Sequence, residues 1–150
     1  MDVAAQRPDL LSTPGAIVGA VAVGGALGAL ARYGLEAAWP SPSGHFPWAT
    51  FVINVTGCFL MGILMTFITE IRQVHPLVRP FLGVGVLGGY TTFSTYSGDV
   101  HKLVADGDAR TALAYLAGTL LAALVAVYAG VLLTRVTAGR FKTTSGRHAS

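Results

Sequence analysis

Residues 10–31, 48–69, 81–98 and 111–134 contain no Asp, Glu, Lys or Arg, and every charged residue lies between or beyond these four runs. About 20 helical residues cross a hydrocarbon layer of ~30 Å, so each run is of membrane-spanning length or close to it. The runs at 10–31, 48–69 and 111–134 are rich in Ala, Leu, Val and Ile. The third differs, because from residue 88 it reads Gly88-Gly89-Tyr90-Thr91-Thr92-Phe93-Ser94-Thr95-Tyr96-Ser97-Gly98. Adjacent glycines are entropically costly in a helix and threonine is stiff at χ1. Non-helical backbone at membrane depth is tolerated only where it is buried in protein or lines a wet path. The pattern therefore predicts an all-α membrane protein of four transmembrane helices with the third broken. Carbonyls and hydroxyls at such a break are suited to holding an ion.

Polar and small residues inside the other runs add to this. Ala16, Ala20, Gly24 and Gly28 recur every four residues and lead to Arg32. Such a small-residue stripe lets another helix backbone approach closely. Arg32 is expected to close the first helix, with Glu36 as an i,i+4 partner. It reads either as a helix-end arginine reaching for the interface or as a cation that draws an anion into a vestibule. In the second run Asn54 precedes Gly57 and Cys58. An amide at that depth costs several kcal/mol, by order of magnitude, unless it is satisfied or solvated. Asn54 thus either joins helices together or faces a polar path. Thr111, Tyr115 and Thr119 stand at i, i+4 and i+8 and share a face of the fourth helix. Threonine often bonds its own i−4 carbonyl, so the plain reading is self-satisfied hydroxyls. The aligned tyrosine favours a polar track.

Composition agrees with the membrane reading. The 150 residues are 53% hydrophobic and 11% charged, against roughly a quarter charged in a soluble domain. The mean hydropathy is +0.61. Net charge is +3, but the basic residues form no patch suited to nucleic acid; several follow the last span, where anionic lipid would meet them. The single cysteine, Cys58, lies within a span and reads as a packing residue. Residues 1–13 are polar and expected to be disordered. The first run is too long and glycine-rich for a cleaved signal peptide, and its basic lead is weak. The expected organisation is a disordered segment at 1–14, a four-helix transmembrane domain at 15–135 and a basic tail at 136–150. Trp39 and Trp48 flank a Pro-rich loop as interfacial anchors.

No nucleotide-binding loop, zinc-ligand spacing or catalytic triad is present, so no enzyme chemistry is expected. No carboxylate lies inside a run, which argues against a proton-coupled drug exporter. What remains is uncharged: an amide, a hydroxyl stripe, a broken helix and the rings of Phe93 and Tyr96. Ring edges carry positive partial charge, and edges beside amide and hydroxyl donors suit a small, hard anion. The residues alone indicate a pore or transporter for an anion.

In three motifs the sequence resembles the CrcB/Fluc family of fluoride channels. These are Gly24-Gly25-Ala26-Leu27-Gly28 ending in Arg32-Tyr33, then Asn54-Val55-Thr56-Gly57-Cys58-Phe59 with Gly62, then Gly88-Gly89-Tyr90-Thr91-Thr92-Phe93-Ser94-Thr95-Tyr96. The resemblance implies an antiparallel dimer with two pores that passively exports cytoplasmic fluoride across the plasma membrane. It further implies a central structural sodium ion, held by the backbone carbonyls of Gly88 and Thr91. By the same resemblance Asn54 is a pore donor, Phe93 and Tyr96 supply aromatic edges, Tyr115 and Thr119 form a hydroxyl track, and Arg32 is the vestibule arginine. Two positions depart from the family pattern. Tyr96 stands where a phenylalanine is usual, and Ala123, one turn after Thr119, lacks the hydroxyl with which the track often continues. A non-conducting structural subunit of a membrane assembly or heterodimer is the alternative.

Charge placement bears on the partner. The N-terminus, the second loop and the C-terminal tail carry Arg7, Arg72, Arg79, Arg135, Arg140, Lys142 and Arg147, seven of the ten basic residues. The first and third loops carry Arg32, Lys102 and Arg110. An excess of Lys and Arg marks the cytoplasmic side, so both termini are expected inside. Each copy of an antiparallel homodimer must insert both ways, which calls for little bias. The bias therefore favours a heterodimer with an oppositely oriented homologue. Counted only through Arg135 it shrinks to four against three, which leaves the homodimer open.

Overall fold

The computed structural model describes residues 14–42, 44–71 and 74–145, with backbone alone for 71 and 139–145. The segment expected to be disordered (1–13, with Arg7), Arg72, Arg147 and the rest of 146–150 lie outside the described residues, as do the side chains of Arg140 and Lys142. Every secondary-structure element among the described residues is helical. Helix α1 (Pro14–Ala38) has proline at its first position, where the missing N–H leaves no intrahelical bond unmade. It does not end at Arg32. Tyr33 to Ala38 continue it, and it stops before Trp39-Pro40, where proline disfavours helical backbone in the residue preceding it. Helix α2 (Trp48–Thr66) is prolonged by wider i→i+5 turns over Phe67–Ile71.

The third run folds in pieces. A π-helical stretch, Arg79–Leu87, feeds the short helix α3 (Gly88–Tyr90). Thr91 (φ −73°, ψ 155°) and Thr92 (φ −145°, ψ 125°) are extended. Helix α4 (Phe93–Ala105) then begins. The adjacent glycines are thus helical, and the two threonines carry the change of direction. Gly107 (φ 82°) makes the turn that follows α4, in the left-handed region glycine favours. Helix α5 (Ala109–Ser145) is capped by Asp108, whose Oδ1 accepts the Thr111 N–H at 3.1 Å. It runs through the boundary expected at 135 without interruption.

Among the described residues three helical segments are long and apolar enough to cross a membrane: Pro14–Ala38, Trp48–Glu70 and Ala109–Ala138. Large apolar side chains such as Val18, Leu30, Leu113, Leu121 and Val125 are exposed along α1 and α5, as lipid-facing helices require. The interior is made instead by backbone approaching backbone. Helix α2 crosses α5 where a Cβ at Gly62 would overlap the Val127 carbonyl and one at Gly130 the Phe59 carbonyl. Helix α1 lies along Arg79–Tyr90 through Gly24 and Gly28, which face the Phe81 and Val86 carbonyls in the same way. Close glycine-mediated packing of this kind replaces the hydrophobic drive that is missing between helices in lipid. A smaller core of Leu103, Ala112 and Tyr115, flanked by Phe46, Phe51, Tyr96 and Val100, joins α4 to α5.

Candidate functional site

The break at Thr91–Thr92 is held by α2. Asn54 Oδ1 accepts the Thr92 N–H at 2.9 Å, and Asn54 Nδ2 donates to the Thr92 carbonyl at 3.0 Å. One amide therefore satisfies both backbone groups of an extended residue, as a neighbouring β-strand would. Each such bond contributes about 1 kcal/mol net, and leaving either group unpaired in a buried place costs about 1–3 kcal/mol. The joining role weighed for Asn54 is present, and the pair leaves its second N–H over. Room for the arrangement comes from Gly57, one turn along α2, because a Cβ there would overlap the Thr91 methyl. Thr92 Oγ1 accepts the Thr95 N–H at 3.0 Å and so caps α4.

These bonds bear on the carbonyls of Gly88 and Thr91. In a continuous helix the Gly88 carbonyl would accept the Thr92 N–H and the Thr91 carbonyl the Thr95 N–H. The first donor bonds Asn54 and the second bonds the Thr92 hydroxyl. Two carbonyls three residues apart are thereby released from the helical ladder at the break. Hard oxygen ligands of this kind fit a hard cation such as sodium. The Gly89 carbonyl between them accepts from Arg32 Nε at 3.2 Å. Arg32 Nη1 also lies 3.7 Å from Glu36 Oε1, keeping the i,i+4 pair expected from the sequence.

From the break a row of rings leads into the protein. Phe93 is 80% exposed, and its ring centroid lies 5.8 Å from that of Tyr96. The Tyr96 ring is 5.2 Å from that of Tyr115, which is fully buried and meets Phe46 edge-on at 5.2 Å. The Tyr96 hydroxyl donates to the Leu116 carbonyl at 2.6 Å, so the group absent from phenylalanine is taken up by α5. Thr119, one turn beyond Tyr115, is 4% exposed, and its Oγ1 has no hydrogen-bond partner among the described residues. The self-satisfied reading of that hydroxyl is therefore not what the structure has. Asn54 meets the break at Thr92, Phe93, Tyr96 and Tyr115 follow as neighbouring rings with Thr119 one turn beyond Tyr115, and Arg32 meets the break at Gly89.

Two residues of this region were not singled out from the sequence. Thr50 Oγ1 donates to Asp99 Oδ2 at 2.8 Å, and the Tyr115 hydroxyl reaches the same oxygen at 3.5 Å. Asp99 directly follows the third apolar run and reads as the start of a polar loop over 99–110. Because α4 continues to Ala105, Asp99 is instead a helical residue whose side chain is only 15% exposed. The signal for Thr50 was its i,i+4 spacing from Asn54, which puts both on one face of α2. A cleft of 360 Å³ lined in part by His45, Asp99, His101 and Lys102 borders this cluster.

Comparison with known proteins agrees with the motifs. Residues 19–131 match the family described as CrcB-like protein, Camphor Resistance (CrcB). The chain is 54% identical to a fluoride-specific ion channel FluC 2 of Nocardia farcinica over 124 residues, covering 83% of this chain and 89% of that one. It is 56% identical to a fluoride-specific ion channel FluC 1 of Streptomyces coelicolor over 116 residues, 77% of this chain and 75% of the relative. A FluC 2 of Thermobifida fusca is 50% identical over 113 residues, 75% of this chain and 84% of its own length. With that match over most of its length, and with residues from all three motifs meeting at one interrupted helix, the chain belongs to the CrcB/Fluc fluoride channel family.

Proposed function

We propose that this chain is the subunit of a fluoride-selective channel that lets cytoplasmic fluoride leave passively across the plasma membrane. The observation that carries the proposal is the row from Asn54 and Phe93 through Tyr96 and Tyr115 to the unpartnered hydroxyl of Thr119. Fluoride is small and strongly hydrated, so a path must replace its water with donors. The spare N–H of Asn54, the positive edges of the rings and the Thr119 O–H are donors of that kind. None carries a full charge, so the ion can be held in sequence without being trapped. A buried hydroxyl without an acceptor costs about 1–3 kcal/mol, which a passing anion would relieve. Arg32, beside Glu36, would raise the local anion concentration at the vestibule.

The functional unit is an antiparallel dimer with two pores, embedded in lipid, in which this chain has both termini cytoplasmic and the oppositely oriented subunit has its termini outside. The membrane domain of this chain spans 15–135 between an N-terminal segment and a basic tail. Phe93, exposed on a single subunit, would be covered in that dimer. The carbonyls of Gly88 and Thr91 would hold a structural sodium ion, which supplies fixed positive charge and ties the two breaks together. Tyr96 is compatible with conduction, since its hydroxyl bonds the Leu116 carbonyl and its ring remains in the row.

The test is ion efflux from liposomes containing the purified chain. Fluoride efflux without ATP or a proton gradient, with chloride efflux far slower, is expected. Equal fluoride and chloride efflux would reject the proposal. Absence of fluoride efflux from the chain alone, restored by an oppositely oriented homologue, would favour the heterodimer toward which the charge bias points; absence in both cases would favour the non-conducting-subunit alternative.

A further inference from the structure

Arg32 reaches the break because the small-residue stripe of α1 carries it there. Gly24, Gly28 and Arg32 stand at i, i+4 and i+8 and share one face. A Cβ at Gly28 would overlap the Val86 carbonyl, and one at Gly89 would overlap the Gly25 carbonyl. With backbone against backbone at those points, the residue one turn beyond Gly28 arrives beside Gly89. There the Arg32 Nε–H donates to the Gly89 carbonyl at 3.2 Å. The Gly89 carbonyl lies between those of Gly88 and Thr91, the two whose helical donors are engaged by Asn54 and Thr92.

We propose that Arg32 is a positioning residue for the cation site: by holding the Gly89 carbonyl it fixes the α3 peptides so that the Gly88 and Thr91 carbonyls stay turned toward the ion. This rests on the cation reading given above. It differs from a vestibule role in a way that charge makes testable. A guanidinium near a bound cation repels it, so by charge alone removing Arg32 would tighten sodium binding. As a positioning group its removal loosens binding. Lysine separates the two further, because it keeps the positive charge but lacks the in-plane Nε–H of the guanidinium.

The measurement is the thermal unfolding midpoint of the full-length purified protein as sodium replaces N-methylglucamine at constant ionic strength. It is made on the native protein, Arg32→Lys, Arg32→Gln and Glu36→Gln. Half-saturating sodium is expected to rise about tenfold or more in both Arg32 variants, the usual cost of losing a group that orients metal ligands. Glu36→Gln, which leaves the Nε bond in place, is expected to shift it less. A native-like midpoint for Arg32→Lys, or tighter sodium binding in Arg32→Gln, would overturn the positioning role and leave the cation site standing. A Glu36→Gln shift as large as that of Arg32→Lys would also overturn it. A native protein whose unfolding ignores sodium would overturn the cation site and the positioning role together.

Discussion

Thr119 and Thr134 lie on the same helix and are about equally buried, at 4% and 7% exposure. Thr134 donates its hydroxyl to the Gly130 carbonyl one turn back at 2.8 Å, whereas Thr119 donates to nothing among the described residues. The neighbourhoods differ accordingly. Around Thr134, α5 is closed against α2 by Gly130 and Gly62, and Thr66 on α2 likewise bonds its own Gly62 carbonyl. Around Thr119 the polar groups look outward from their own helix: Tyr115 to Asp99, and the Leu116 carbonyl to Tyr96. One half of α5 is therefore packing and the other half is available for chemistry. Hydroxyls in lipid-embedded helices are informative only when their local acceptor is not used.

Four predictions press on that contrast. The largest effect is expected at the break. Asn54→Asp places an anion beside the proposed anion path; at an effective dielectric near 20 a charge at ~5 Å costs about 3 kcal/mol, or roughly a hundredfold in rate. Phe93→Ile removes the ring edge while keeping apolar bulk and is expected to suppress flux comparably. Both should retain the native oligomer on size-exclusion chromatography. Wild-type fluoride efflux in both variants would remove the pore from this region.

Gly130→Leu attacks the packing half. Its side chain would have to displace the Phe59 carbonyl, at a cost of about 3 kcal/mol. The yield of folded protein and the unfolding midpoint are expected to fall, with flux falling only in proportion to folded protein. Loss of flux per folded protein without loss of stability would mean the crossing is part of the path.

The paired substitutions Thr119→Val and Thr134→Val sharpen the comparison itself. Thr119→Val removes an unpartnered hydroxyl, so stability is expected to hold or rise while fluoride flux drops about tenfold. Thr134→Val removes a satisfied hydroxyl, with about 1 kcal/mol of stability lost and flux per folded protein unchanged. Identical behaviour of the two variants in stability and flux would erase the distinction.

The smallest effect concerns the start of the chemical half. The Asp108 carboxyl is held below the usual carboxylate range by its hydrogen bonds with Thr111, which outweigh the opposing effect of burial, with the neighbouring Arg110 charge the smallest contribution. A lowered folded pKa contributes stability above the unfolded value, and that contribution is lost as pH falls through the folded one. Hydrogen exchange at the Thr111 amide should therefore show increased fraying of α5 in the acid range, below ~4, and Asp108→Asn should flatten that dependence. Fraying that grows instead toward high pH would contradict the cap.

The membrane character, the approximate spans and the residues of all three motifs were legible in the chain, because transfer into lipid and helical periodicity are sums over neighbouring residues. Asn54, Phe93, Tyr115 and Thr119 stood out for the same reason, as polar or aromatic groups where leucine is cheaper. What the tertiary structure decided is where each polar group finds its partner. Glycines 88 and 89 with threonines 91 and 92 suggested a break somewhere in that stretch; the glycines are helical, Gly89 serving close approach to α1, and the extended pair is Thr91–Thr92. It lies there because Asn54, 38 positions earlier in the chain, satisfies both backbone groups of Thr92. Arg32 does not end its helix, and Asp99 belongs to α4 and meets Thr50 and Tyr115 rather than solvent. Local pattern specifies which groups must be satisfied, but a hydrogen bond between helices depends on their crossing, and only the packed chain determines that.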